Sequence, residues 1–113
     1  MIKTFKYEYG SWDAYCELTI DTEKFKKEDA EILLGFFIWD YDENADPVDE
    51  YMKKIAMQCI KVATFKGINK DGVIDEFKEM EGWPHLDGTN GITLVSVTAY
   101  EFDESSLELE EEP

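Results

Sequence analysis

The run Asp40-Tyr41-Asp42-Glu43-Asn44-Ala45-Asp46 places oxygen donors at alternate positions, the spacing by which a calcium loop wraps its ion. A loop of the EF-hand kind needs donors at its positions 1, 3 and 5, glycine at 6 and a bidentate glutamate at 12. Asp40, Asp42 and Asn44 fill the first three, but Ala45 stands at the glycine position, Pro47 at the eighth and Tyr51 where the glutamate belongs. The chelate cannot close in that form, and a weak calcium site of another geometry over 40–46 is kept only as a minor alternative. INKDGVID, residues 68–75, fails in the same way: with Gly72 at position 6, Gly67 falls at position 1 and Lys78 at position 12. That stretch reads as a turn that starts a helix.

Other chemistry is thinner still. His85 is the single histidine, beside Pro84 in a loop, without the serine or cysteine of a nucleophilic pair and without partners for zinc. Cys16 and Cys59 each fall on the apolar side of an expected element and read as two buried free thiols, with a disulfide between them unsupported by any motif. Carboxylates are so abundant that close pairs arise by chance. No catalytic residue, cofactor or metal ligand is therefore assigned. Trp39, Tyr41 and Trp83, with Asp40, Asp42 and Glu43, form the one candidate partner-binding set: aromatic residues within an acidic setting.

Charge is the strongest signal, with 27 acids against 11 basic residues, formally −16. Residues 28–52 hold nine acids and no lysine, residues 79–113 hold ten acids and no lysine, and the remainder carries eight acids against eleven lysines. Arginine, the residue that forks onto phosphate and stacks on bases, is absent. Direct binding to nucleic acid or to an anionic membrane is excluded on that ground. The longest apolar run, ILLGFFIW at 32–39, is too short to cross a bilayer, and the N-terminus lacks an apolar signal core. A cytoplasmic protein is the expectation.

The elements that position these residues follow from hydrophobic period. KTFKYEY places Phe5, Tyr7 and Tyr9 on one strand face, and AYCELTI alternates Ala14, Cys16, Leu18 and Ile20 against Tyr15, Glu17 and Thr19, with GSWD as the turn. A helix follows, with Glu28, Asp29 and Glu31 near its start and Ala30, Leu33, Leu34 and Phe37 on its apolar side. Asp46-Pro47 then has the order of an N-cap followed by a first-turn proline. Val48, Tyr51, Met52, Ile55, Cys59, Val62 and Ala63 trace one stripe behind it, flanked by the i,i+4 pairs Asp49–Lys53 and Glu50–Lys54, and Gly67 ends the helix. DGVIDEFKEM is a third, shorter helix, WPHLDGTNG a loop, and ITLVSVTAYEF the last strand.

The expected order is β-β-α-α-α-β: an α+β domain over 1–103, a three-stranded antiparallel sheet with the helices on one face in two layers. Either edge of the hairpin could take the last strand. Residues 104–113 read as a flexible, solvated acidic tail.

The stretches FFIWDYDENADPVDEY, GVIDEFKEMEGWPHLDG and GITLVSVTAYEFDES together resemble a family of small acidic bacterial and phage proteins known only as a domain of unknown function. The likeness runs over residues 5–105. It rests on Trp39 and the alternating aspartates before Asp46-Pro47, the Gly82-Trp83-Pro84 turn, and the last strand leading into Glu101-Phe102-Asp103. The resemblance implies a bacterial or mobile-element setting and carries no catalytic residues with it.

Two functions fit the charge map. One is an interaction or accessory domain whose acidic surface meets a basic protein. The other is a DNA mimic that occupies the nucleic-acid cleft of a host protein. Spread over about 6,400 Å² of folded surface, the net charge is one per roughly 400 Å², against one per roughly 100 Å² on a duplex. Mimicry therefore requires the two lysine-free segments to share a face. Neither the partner nor the oligomeric state follows from the sequence.

Overall fold

The computed structural model describes residues 1–10, 14–36 and 44–100. Its elements are β1 (Ile2–Tyr9), β2 (Ala14–Asp21), α1 (Lys27–Phe36), α2 (Pro47–Lys66), α3 (Lys70–Glu79) and β3 (Ile92–Thr98). The order is the expected β-β-α-α-α-β, and all strand pairs are antiparallel. The sheet order is β1-β2-β3, so the last strand joins the β2 side of the hairpin and β1 is left at an edge. Of the turn, Gly10 alone is described, at φ +68°.

The period-two pattern of β2 determines which face is covered. Ala14, Cys16, Leu18 and Ile20 are buried, and they form one core with Tyr51, Met52, Ile55, Cys59 and Val73 of the helices and Phe77 of α3. On the other face Thr4 stands opposite Thr19 and Lys6 opposite Glu17, while the Tyr15 hydroxyl donates to Glu17 at 2.8 Å. Polar pairs of this kind suit the solvent side of a sheet covered on one face.

β3 does not keep one parity. Leu18 pairs with Leu94 but Glu17 with Ser96, so Val95 is an extra, exposed residue. This bulge turns the inward set from Ile92 and Leu94 to Val97 and Ala99. The regular strand ends at Thr98, short of the expected Phe102; Glu101 and Phe102 lie outside the described residues, as does the 104–113 tail.

α2 is built as its sequence dictates. Asp46 is extended (φ −64°, ψ 125°) and its carboxylate accepts from the Val48 N–H at 2.8 Å, with Pro47 at the first helical position. Gly67 closes the helix in the left-handed region at φ +63°, its N–H donating to the Ala63 carbonyl. The side-chain pairs differ in part from the i,i+4 expectation. Lys53 reaches Glu50 at 3.1 Å, one residue nearer than Asp49, and Asp49 meets Lys3 of β1 at 3.5 Å. Sheet packing brings Lys3 over Asp49, a partner no local spacing reveals.

In α1, Asp29 reaches back to accept from the Lys26 N–H at 2.9 Å, which fixes the helix start. Asn69 caps α3 by accepting from the Gly72 N–H at 3.1 Å. INKDGVID is thus a helix start, in keeping with its missing calcium ligands.

Candidate partner-binding surface

The loop after α3 sets the position of Trp83. Met80 leaves helical geometry, Gly82 adopts φ +86°, and the Trp83 N–H donates to the Met80 carbonyl at 3.3 Å. The indole then meets Phe77 edge to face, with ring centroids 5.6 Å apart at 77°. Phe77 is fully buried and Trp83 half-buried, so one side of the indole is anchored against the core.

Trp83 borders a cleft of about 720 Å³ between α1, α2 and the 82–90 loop. Phe25, Leu33, Tyr51, Trp83 and Pro84 give it an apolar lining, and Lys24, Asp29, Thr89 and Asn90 add polar groups. Phe25 and Tyr51 stack at 5.5 Å with their planes 6° apart. Burial pushes the Tyr51 phenol up, so it stays neutral. Trp83 also lines a second groove, of about 310 Å³, with Lys53, Lys54 and Lys61 of α2. Residues 53, 57 and 61 follow one another at i,i+4 and place Lys53, Met57 and Lys61 along one helical row.

Of the sequence candidates, Trp83 is placed on this surface. Trp39, Asp40, Tyr41, Asp42 and Glu43 lie outside the described residues, and so does most of the alternative calcium stretch 40–46. The linker they form joins α1 to α2, and both helices line the cleft. Within the calcium stretch, Asp46 has one carboxylate oxygen engaged in capping. Leu33 and Tyr51 read in the sequence as apolar-face positions of their helices, and nothing there singles out Phe25. The lysine row of α2 is visible there only as the polar side of an amphipathic helix. Nothing but the tertiary fold sets either beside Trp83.

The acids of residues 28–52 that are described are largely occupied. Asp29 and Asp46 cap helices, Asp49 pairs with Lys3, and Glu50 is buried with Lys53 on it, which leaves Glu28 and Glu31. Asp87 is held well below the usual carboxylate range, at about 2, first by Thr89, whose backbone N–H donates to it at 3.0 Å, and then by Lys78 at 3.6 Å. His85 is exposed. Cys16 and Cys59 are free and buried side by side, and the contact with Cys16, with burial, pushes the Cys59 thiol up. Among the described residues no group of three or more histidine, cysteine or acidic side chains could hold a metal ion, and no helix is long and apolar enough to cross a membrane.

The family model described as "Protein of unknown function (DUF2528)" matches residues 15–109. The chain is also similar to protein ea10 of Escherichia phage lambda, at 24% identity over 115 residues covering 94% of this chain and 93% of that protein. A lambda prophage-derived protein ea10 of Escherichia coli O6:H1 matches with the same identity and coverage. No solved structure matches the chain.

Proposed function

The chain belongs to the DUF2528 family of proteins of unknown function, and from that premise we propose that it is a small cytoplasmic interaction domain that binds a basic surface on another protein. The observation that carries this reading is the cleft beside Trp83, an apolar recess flanked by the two helices that hold the ends of the acidic linker 37–43. An aromatic anchor in a recess with charge around it is the usual make-up of a binding hot spot. The acids that the linker carries in sequence would steer a basic partner and make the encounter sensitive to salt.

The distribution of charge supports a local contact over mimicry of DNA. All eleven lysines are among the described residues, which carry sixteen acids and so net −5. The other eleven acids fall on 11–13, 37–43 and 101–113. The surface of 7740 Å² gives one net charge per about 480 Å², nearly fivefold sparser than the roughly 100 Å² per charge of a duplex. The neutralised carboxylates at Asp49 and Glu50 also interrupt any band running from 28 to 52.

A photo-crosslinking amino acid placed at Asn90, within the cleft, tests the reading. In a bacterial lysate it is expected to capture a discrete partner with a basic surface, and Trp83→Ala is expected to abolish that capture. Equal capture by the Trp83→Ala protein would overturn the assignment of the cleft.

A further inference from the structure

We propose that two copies of the chain pair along β1, antiparallel about a two-fold axis at Tyr7, and so join their three-stranded sheets into one. Among the described residues β1 is an edge strand. It is eight residues long, holds no proline and has no bulge against β2, so it lacks the devices that usually blunt an edge. Lys3, on the helix side, has its charge met by Asp49 at 3.5 Å.

The ladder with β2 determines which backbone groups the edge offers. The Met1 carbonyl accepts from the Thr22 N–H at 2.9 Å, and the register runs unbroken from Ile2–Asp21 to Tyr9–Ala14. Bonded pairs alternate along an antiparallel ladder, so the odd residues of β1 bond to β2. Ile2, Thr4, Lys6 and Glu8 therefore direct their N–H and C=O groups outward. Side chains divide by the same parity. Phe5, Tyr7 and Tyr9 stand opposite Leu18, Cys16 and Ala14 on the helix side, with Lys6 and Glu8 on the other.

The charges on the strand select a second copy as the occupant, in one register. An axis perpendicular to the sheet pairs even residues with even and odd with odd. Placed at Lys6, it sets two lysines face to face; placed at Phe5, it sets Lys6 against Thr4 and Glu8 against Ile2. Placed at Tyr7, it sets Lys6 against Glu8 twice, as pairs that exchange both backbone bonds, and Phe5 against Tyr9 twice on the helix side. Opposite charges and aromatic pairs across strands both stabilise a sheet. Phe5 and Tyr7 already stack within one copy at 6.2 Å, so the pairing gathers the aromatic residues of two strands into one row. This register also places the axis toward the end of β1 that borders the apolar groove of about 280 Å³, where Tyr9, Met57 and Phe65 are 46%, 38% and 78% exposed. The net charge of −16 does not gather at this edge. Among the described residues Lys3, Lys6, Lys53 and Lys61 border it with Glu8, Asp49 and Glu50.

Sedimentation equilibrium on the purified full chain tests the inference through a charge swap. The mass is expected to move from one chain to two as concentration rises from about 10 µM to about 1 mM. Lys6→Glu and Glu8→Lys each put like charges in both cross-strand pairs, and each is expected to weaken dimerisation about tenfold or more. An equimolar mixture of the two variants restores opposite charges at both pairs and is expected to dimerise again. A parent that stays monomeric at about 1 mM would overturn the proposal, as would single variants as dimeric as the parent or a mixture of folded variants that stays monomeric. Amide exchange by NMR on the unsubstituted chain gives a reading that no variant's folding affects. The Lys6 and Glu8 amides are expected to become protected as the dimer forms, while those of Phe5 and Tyr7, bonded to β2, are protected throughout. Fast exchange of Lys6 and Glu8 in the dimer would overturn the pairing. Their full protection in the monomer would assign the edge to the chain itself and would equally overturn it.

Discussion

The carboxylate of Asp46 accepts from the Val48 N–H at the start of a twenty-residue helix that carries much of the core. Asp46→Ala is expected to cost about 1 kcal/mol in urea unfolding, whereas calcium at millimolar concentration is expected to leave the melting temperature unchanged. Asp87 makes a prediction about pH. Its folded value of about 2 lies below the ordinary 3.8, so it stabilises the fold above the higher value and that contribution is lost as pH falls through about 2. The melting temperatures of the parent and Asp87→Asn are thus expected to differ most near neutral pH and to converge toward about pH 2. Convergence at neutral pH instead would mean the Thr89 and Lys78 contacts contribute nothing. Both Asp46-Pro47 and the two buried thiols were legible in the sequence, because caps and inward apolar positions are local signals. The Asp87 contact with Lys78 was not, since those residues meet only after α3 and the 82–91 loop have folded against each other.

At the scale of elements, the order, the faces of β2 and the stripe of α2 follow directly from period. Two features did not. The strand order depends on which hairpin edge β3 reaches, and the bulge at Val95 shifts parity where the sequence simply reads as continuous β-branched residues. Two glycines show how the setting of a helix decides a substitution. Gly35 in α1 has nothing within 4 Å of an added methyl, so Gly35→Ala is expected to stabilise by roughly 0.5–1 kcal/mol. Gly72 in α3 has the Ile68 Cβ 2.8 Å from where its own Cβ would stand, so the same change there is expected to destabilise. Thermal melts of the two variants should move in opposite directions. A gain at Gly72→Ala would show that the contact with Ile68 is not fixed as described.

For the whole molecule, the sequence made the charge plain but not its arrangement. The described body is close to balanced, and its lysines are partly spent on its own acids. Trp83 was legible as a candidate because its Gly82-Trp83-Pro84 turn stands out. The cleft beside it was not, because Phe25 with Leu33, Tyr51 and Trp83 come from three separated parts of the chain. The central claim is that an acidic linker and this cleft together engage a basic protein, and the salt dependence of capture tests it most directly. Immobilised full chain and the variant Asp40→Asn, Asp42→Asn, Glu43→Gln would be compared in lysate at about 0.05 and 0.5 M salt, conditions that shorten the screening length severalfold. The account predicts a basic partner retained by the parent at low salt, released at high salt, and retained far less by the neutralised variant at either. Capture that is indifferent both to salt and to the three substitutions would contradict it.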